Sequence, residues 1–235
     1  MIELYQLDHS LSFPAPSAAM SDPPGLLAFG GDLSVARLKF AYQNGIFPWY
    51  SEGEPILWWS PDPRGILPLD NFRVSRSLAK FIRKTPLRVT LNEDFSQVIK
   101  ACAHAARRDS GTWISAAMIS AYQRLHHAGY AQSVEVWDGH KLVGGLYGVT
   151  VGALFCGESM FHHSTNASKL AMFYLVQHLH AQGCKFIDCQ MQNPHLASLG
   201  CIEIPRSEFL AKLHQATGSE LDKNLWQSVE LTNHT

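Results

Sequence analysis

The sequence predicts a mixed α/β (α+β) fold, in which a small N-terminal α/β domain precedes a larger domain built on a mixed sheet. Segments with a hydrophobic period of two alternate along the chain with segments of helical period. An antiparallel meander near residues 133–156 is followed by one amphipathic helix and a further strand, an arrangement that normally pairs its strands in parallel. A proline-rich aromatic segment ends near residue 63, so we expect domains at 1–63 and 64–235.

The composition indicates a folded protein of a reducing compartment. Hydrophobic residues make up 46% of the 235 residues and charged residues only 17%, which leaves little room for a disordered tail. The five cysteines contain no Cys-x-x-Cys pair, which argues against a disulfide framework and a zinc knuckle. The chain shows neither a signal-like N-terminus nor a run of about 18 apolar residues. We therefore expect a cytoplasmic protein with no membrane partner.

The N-terminal region combines loops, one helix and an aromatic segment. Residues 11–31 are rich in proline and glycine, and a helix is expected from a Ser34 cap to Gly45. Residues 45–64 hold three of the six tryptophans and four prolines, which prevent a long helix and keep the rings on an extended segment. Trp49 could belong to a packed aromatic plug between the domains or to a platform for a flat ring.

A basic segment follows the predicted domain boundary. The window 71–92 contains six basic residues and no acid, which leaves 13 basic against 20 acidic residues elsewhere. A helix is expected over Phe72–Lys84, stopped by Thr85-Pro86. Such a charge run is commonly a solvated helix face, but it also suits a polyanion such as nucleic acid. Its members are Arg73, Arg76, Lys80, Arg83, Lys84 and Arg88.

The next segments lead to a second aromatic site. A strand is expected over 87–91, a helix from an Asn92 cap to about residue 106, and a loop over 107–114 before a helix capped by Ser115. Trp113 therefore stands beside two arginines, just before a helix N-terminus. Its ring could stack on a base or pack against the helix.

The stretch 154–190 carries the polar residues most suited to chemistry. Glu158 lies in its first apolar run, and Asp188 and Gln190 lie in its second. A parallel pairing would make the two carboxylates neighbours, and strand alternation would point Asp188 and Gln190 at one cleft. Glu158 could instead be a turn residue, and Asp188 could simply end its strand.

The helix joining these two runs is expected from Asn166 to Gly183. One stripe of it serves equally well as ordinary core or as the wall of an apolar pocket. The stripe consists of Ser168, Met172, Leu175 and Leu179.

The last elements complete a recognisable order. A short helix opens at Asn193, a strand covers 201–204 and a helix starts at Ser207. N-acetyltransferase-like folds have the same order of elements, namely a meander, a helix, a parallel strand, a short helix and a final strand. This similarity is an analogy of fold only and indicates no function. The paired histidines do not converge, and no phosphate-binding loop of the Gly-x-x-x-x-Gly-Lys type occurs, so we expect no metal and no cofactor.

With these residues assembled, the chain resembles the bacterial leucyl/phenylalanyl-tRNA-protein transferases over essentially its whole length. Several short segments together carry the resemblance. They are residues 25–34 (GLLAFGGDLS), 45–49 (GIFPW), 57–64 (LWWSPDPR), 111–114 (GTWI), 133–137 (SVEVW), 155–161 (FCGESMF), 166–169 (NASK) and 187–190 (IDCQ).

The resemblance implies transfer of Leu, Phe or, less readily, Met from aminoacyl-tRNA to proteins with N-terminal Arg or Lys, which marks them for degradation. It implies an acetyltransferase-like domain that uses aminoacyl-tRNA rather than acyl-coenzyme A, and we expect a monomer. Asp188, Gln190 and Glu158 would be catalytic, with Asp188 the base or the group that orients the amine. The basic residues Arg73, Arg76, Lys80, Arg83 and Lys84 would bind tRNA. Trp49 and Trp113 would stack on the terminal adenosine, and the remaining substrate-binding positions would be Leu146, Ser159, Met160, Ser168, Met172, Leu175, Leu179, Ile187 and Asn193.

One hypothesis and two alternatives remain open at this point. Glu158 and Asp188 could set the preference for a basic N-terminal residue by pairing with its charge. An acyl-coenzyme A-dependent acetyltransferase would need an Arg/Gln-x-x-Gly-x-Gly/Ala loop, and the nearest string, from Arg108 to Trp113, ends in tryptophan. A non-catalytic RNA-binding module would fit the basic and aromatic residues but would leave Asp188 and Gln190 without a role.

Overall fold

The strands form a small and a large sheet. The computed structural model describes residues 4–109, 113–219, 222 and 224–231, except the side chains of 106–109. The small sheet has the order β1-β2-β4-β3, with β1 and β2 parallel and the other pairs antiparallel. Its strands are β1 (Tyr5–Leu7), β2 (Leu26–Gly30), β3 (Phe47–Pro48) and β4 (Leu57–Trp59).

Within the described residues, the large sheet has eight strands in the order β11-β5-β10-β9-β8-β7-β6-β12. Strands β9 and β10 are parallel, and every other neighbouring pair is antiparallel. The predicted mixed sheet and the predicted parallel pair are therefore confirmed. The strands are β5 (Arg64–Pro68), β6 (Arg88–Leu91), β7 (Ala131–Asp138), β8 (Lys141–Val151), β9 (Leu154–His162), β10 (Phe186–Gln190), β11 (Ile202–Ile204) and β12 (Val229–Glu230).

Helices cover both faces of the large sheet. Helices α3 and α4 share one hydrophobic core with the small sheet, and helices α2 and α5 share a second core on the opposite face. Neighbouring residues of β8 divide between the two cores, Leu146 facing α5 and Tyr147 facing α3. The helices are α1 (Val35–Gln43), α2 (Arg76–Lys84), α3 (Phe95–Asp109), α4 (Ala116–His127), α5 (Ala167–Ala181), α6 (Pro194–Ser198) and α7 (Arg206–Thr217).

Side-chain caps explain where most helices start. Ser34, Ser115 and Asn193 each accept a hydrogen bond from a backbone amide of the first turn, as predicted. The prediction that α2 starts at Phe72 is wrong. Ser75 Oγ accepts from Leu78 N at 3.2 Å and starts the helix at Arg76.

The predicted Asn92 cap is also wrong. Asp94 Oδ1 accepts from Gln97 N at 2.9 Å and caps α3, because the Asn92 side chain is bonded to Gln132, Ser133 and the Trp226 carbonyl. Helix α3 runs to Asp109, so the predicted loop over 107–114 begins later. Residues 110–112 and the two arginine side chains before them lie outside the described residues.

The two sheets share a continuous core rather than meeting at a thin joint. Trp58 of β4 and Leu38 of α1 belong to the same buried cluster as Tyr122 and Leu125 of α4. The division at residue 63 stays a prediction, although the strands of the small sheet all precede it and those of the large sheet all follow it. Within the described part of the chain, no helix is long and apolar enough to cross a membrane.

Candidate active site

A cavity of about 430 Å³ opens where the parallel strands β9 and β10 part. Their backbones pair at Phe155 with Ile187 and at Cys156 with Asp188. Beyond these positions, side chains from both faces of the sheet line the cavity. The lining residues are Phe47, Pro48, Trp49, Trp113, Leu146, Tyr147, Phe155, Gly157, Glu158, Ser159, Met160, Met172, Ile187, Cys189, Gln190, Met191, Asn193, His195 and Leu196.

The apolar end of the cavity lies on the α5 side of the sheet. Leu146, Met160, Met172 and Ile187 line it as expected. Three other predicted substrate-binding residues do not reach it. Leu175 and Leu179 are fully buried in the core behind the cavity, and Ser168 lines a separate cavity at the start of α5.

The opposite end of the cavity is aromatic. Trp49 and Trp113 both line it, as expected. Trp49 keeps 39% of its surface exposed, and its ring packs edge-on against Trp59 at a centroid distance of 5.4 Å. The indole of Trp59 donates to the Trp49 carbonyl oxygen at 2.6 Å and so helps to hold this segment in place.

Glu158 is the acid that faces the cavity. Tyr122 Oη donates to its Oε2 at 3.0 Å, and the Gln190 amide donates to its Oε1 at 2.8 Å. The Tyr122 hydroxyl is in turn bonded to that of Tyr42. Burial raises the pKa of Glu158 to about 7, although the hydrogen bonds from Tyr42 and Tyr122 oppose the shift. This carboxyl group therefore changes its charge close to neutral pH.

Gln190 reaches the cavity through an irregularity in β10. The register of β10 shifts between Asp188 and Gln190, and Gln190 has a left-handed backbone with φ of 61°. Its side-chain amide nitrogen is bonded to Glu158. The amide oxygen has no partner among the described residues and is free to accept a hydrogen bond.

Asp188 does not line this cavity, so the prediction that strand alternation points it and Gln190 at one cleft is wrong. Its carboxylate is fully buried and accepts from Arg64 Nε at 2.9 Å and from Arg64 Nη2 at 2.7 Å. The Arg64 guanidinium packs between the rings of Phe47 and Phe209. Burial by itself would lower the pKa of Arg64, but the Asp188 charge raises it. Strand alternation gave the wrong side-chain direction because it does not account for the irregularity between Asp188 and Gln190.

The backbone amide of Gln190 connects these two arrangements. It donates to Asp188 Oδ1 at 2.9 Å, on the same oxygen that accepts from Arg64 Nε. The buried ion pair thus holds the irregular turn that presents the Gln190 side chain to the cavity.

Comparison with known proteins shows the family. The model of the leucyl/phenylalanyl-tRNA protein transferase family matches residues 66–214, and that of its N-terminal domain matches residues 31–62. A leucyl/phenylalanyl-tRNA–protein transferase from Pseudoalteromonas atlantica is 69% identical over 232 residues, 99% of each chain. Its counterpart from Pectobacterium carotovorum is 55% identical over 235 residues, 100% of each chain. The chain belongs to the leucyl/phenylalanyl-tRNA protein transferase family. The predicted family and the predicted enzyme class are therefore confirmed.

Similar solved structures are much more distant than these family members. L-PGS from Bacillus licheniformis has a TM-score of 0.39 and 12% identity, over 66% of this chain and 50% of that one. AAC(6')-Iy, in complex with a bisubstrate analogue, has a TM-score of 0.32 and 14% identity, over 58% of this chain and 92% of that one.

The basic segment of this family member forms an exposed patch on α2 and the turn before it. We call Arg73, Arg76, Lys80, Arg83 and Lys84 the α2 patch; all five are exposed. Within the described residues, none of them has a carboxylate at ion-pair distance. Arg88 differs, because it pairs with Glu93 at 2.6 Å. The patch is therefore available to an external polyanion.

Several site residues escaped the sequence-based prediction. Tyr147 and Phe155 line the cavity from neighbouring strands, and no described group bonds to the buried Tyr147 hydroxyl. Periodicity places both in strands but does not distinguish core from cavity. Arg64 and Tyr122 act on Asp188 and Glu158 from distant parts of the chain, and no local pattern marks such pairs. Of the other predicted positions, Ser159 and Asn193 line the cavity, and Asn193 also caps α6.

The described residues contain no group of three or more His, Cys, Asp or Glu side chains that could hold a metal ion.

Proposed function

We propose that this protein transfers Leu, Phe and, less readily, Met from aminoacyl-tRNA to the α-amino group of proteins that begin with Arg or Lys. The product would be a substrate for degradation by the N-degron pathway. One observation carries the proposal. An apolar cavity passes between two parted strands, and an acid and an amide acceptor stand at its opening.

The two ends of the cavity suit the two parts of an aminoacyl-adenosine. Leu146, Met172 and Ile187 offer an apolar wall to an unbranched or γ-branched side chain, while polar or charged side chains would find little compensation there. Trp49 and Trp113 offer rings on which an adenine can stack. The ester carbonyl would then lie between these ends, close to Gln190 and Glu158.

Glu158 and Gln190 suit the incoming amine. An α-amino group with a pKa near 8 is about one tenth neutral at pH 7, so its N–H groups can donate to the free Gln190 amide oxygen. The Glu158 carboxylate would pair with the cationic side chain of an N-terminal Arg or Lys. Asp188 is already occupied by Arg64, so we assign this preference to Glu158 alone.

The reaction needs modest chemical assistance, because the ester of tRNA is an activated donor. The amine nitrogen attacks the ester carbonyl carbon, and a new C–N bond forms as the C–O bond to the ribose breaks. The proton lost by the amine ends on the ribose oxygen, which leaves a free tRNA 3′-hydroxyl. Neither ATP nor coenzyme A enters this balance.

Asp188 acts in this proposal as a positioning residue. Its two carboxylate oxygens accept hydrogen bonds from Arg64, and Oδ1 also accepts one from the backbone amide of Gln190. Its role is to hold the turn that points Gln190 at the reacting atoms. A structural arrangement of this kind supports catalysis by orientation rather than by proton transfer.

The α2 patch would hold the tRNA body by contacts to phosphates. Such a substrate requires the compartment in which aminoacyl-tRNA is made, and we therefore propose the cytoplasm. The monomeric state stays a prediction.

The test is transfer of radiolabelled Leu and Phe from charged tRNA to peptides that differ only in an N-terminal Arg, Lys or Ala. Labelling confined to the Arg and Lys peptides, without ATP or coenzyme A, supports the proposal. Binding of tRNA with no labelling of any peptide would contradict it and favour a non-catalytic RNA-binding module.

A further inference from the structure

A second cavity, of about 450 Å³, adjoins the first at the start of α5. Met160 and His195 line both cavities. The other residues that line the second cavity are polar or basic and have no role in the aminoacyl transfer described above. They are His162, Thr165, Asn166, Ser168 and Lys169.

The first turn of α5 presents unused hydrogen-bond donors to this cavity. Asn166 precedes the helix with a left-handed backbone, and its side chain does not cap the helix. No described group accepts from the backbone amides of Ser168 and Lys169. Free amides at the start of a fifteen-residue helix, together with the helix dipole, favour an anion.

Ser168 provides an independent indication of a ligand. The residue is only 5% exposed and lines the cavity, and no described group forms a hydrogen bond with its hydroxyl, which is therefore available to a ligand in the cavity. A phosphate oxygen in the cavity could accept a hydrogen bond from this hydroxyl.

Lys169 brings a positive charge to this cavity, beside His162 and His195. No described carboxylate lies within ion-pair distance of Lys169. Burial lowers the pKa of His195, and the positive charges of Lys169 and His162 lower it further. This side of the site would repel a cationic N-terminal residue, whereas Glu158 would attract one.

The α2 patch begins beside the short helix α6, whose residue His195 lines the second cavity. Arg73, at the start of that patch, donates its backbone amide to the Leu199 carbonyl at 2.9 Å, just after the end of α6. His195 lies in the first turn of the same short helix. Helices α2 and α5 also pack into one hydrophobic core on the same face of the sheet. The patch and the cavity therefore lie on the same face of the sheet, where one nucleic-acid strand would meet both.

We propose that Lys169, Ser168 and the free amides of α5 bind a backbone phosphate in the single-stranded 3′ end of the tRNA donor. This inference rests on the proposed function for the identity of the donor. The phosphate subsite would hold the strand in register while the aminoacyl group enters the adjoining apolar cavity.

The experiment compares stable 3′-amide analogues of phenylalanyl-adenosine, which carries no phosphate, and of phenylalanyl-CCA, which carries two phosphodiesters. Binding is measured by titration of tryptophan fluorescence or by calorimetry for wild type and for Lys169→Met, which keeps the aliphatic stem. We expect Lys169→Met to lower the affinity for the CCA analogue on the order of tenfold, which corresponds to the loss of one charged hydrogen bond. The affinity for the adenosine analogue should fall less than about twofold. The dependence of log affinity on log salt should become shallower by about 0.7 for the CCA analogue.

Lys185→Met is the matched control, since Lys185 is exposed just beyond the other end of α5. It should leave both affinities unchanged, and thermal unfolding should match wild type for both variants. Equal weakening of the two analogues by Lys169→Met, or weakening of neither, would overturn the phosphate subsite. Ser168→Ala is a second variant that should reproduce the selective loss to a smaller degree.

The phosphate subsite and the proposed transferase activity can fail separately. If Lys169→Met selectively lost affinity for the CCA analogue while the wild type labelled no peptide, the subsite would be supported and the transfer reaction rejected. Normal peptide labelling by the wild type, together with an equal effect of Lys169→Met on the affinities for both analogues, would support the reaction and reject the subsite.

Discussion

Replacement of Asp188 by Asn tests whether this residue positions Gln190 or takes a proton. The carboxylate is fully buried and meets Arg64 through two hydrogen bonds of 2.9 and 2.7 Å. Asn keeps the shape but removes the charge, so it leaves the Arg64 guanidinium buried without a counterion between Phe47 and Phe209. Breaking a buried pair from one side costs about 3–5 kcal/mol, and we expect the lower value because Asn still accepts one hydrogen bond.

This cost should be visible as a loss of stability. For a chain of 235 residues, a loss of about 3 kcal/mol corresponds to a decrease in Tm of roughly 6–12 °C. Calorimetry gives the Tm, and urea unfolding gives the free energy. The control is Asp70→Asn, because Asp70 pairs with His180 but is 88% exposed; it should change stability by less than about 0.5 kcal/mol.

Transfer by Asp188→Asn should be measured at a temperature where the variant is folded. A positioning role predicts a slower reaction whose pH profile keeps the wild-type shape, since Glu158 and the amine still titrate. A stability equal to wild type together with complete loss of transfer would refute this reasoning, because Asp188 would then act on the substrate directly.

Three further results are expected from the same geometry. In wild type, the ratio of the transfer rates to Arg- and Ala-peptides should rise from pH 6 to 8, because Glu158 ionises as the pH rises through its pKa of about 7. Glu158→Gln should remove this pH dependence and lower the ratio on the order of tenfold at pH 8. A pH-independent wild-type ratio would argue against this role. Leu146→Phe, which narrows the apolar end of the cavity, should reduce Phe transfer more than Leu transfer, whereas Leu175→Met, in the core behind it, should leave the preference unchanged. The double variant Lys80→Gln, Arg83→Gln should weaken tRNA binding and make its salt dependence shallower by up to about 2 in a filter-binding series; an unchanged slope would exclude these two as phosphate contacts.

Local signals in the sequence determined most of the elements. The serines at 34 and 115 cap helices because a short hydroxyl side chain satisfies a free amide wherever the chain enters a helix. The spacing of Met172, Leu175 and Leu179 placed one buried stripe on α5, since a period of 3.6 residues holds in any tertiary setting. The strand, helix and strand over 154–190 similarly predicted a parallel pair. The combined motifs predicted the family.

The tertiary structure decided which of these residues reach the substrate cavity. Met172 lines it and Leu175 does not, although they share a stripe, because the cavity exists only where β9 and β10 part. Asp188 is paired with Arg64, 124 positions away, and a contact of that separation has no local signature. The turn at Gln190 depends on the same buried pair. The sequence by itself therefore determined the elements and the family, whereas long-range packing decided which carboxyl group faces the substrate and which one supports the site from within.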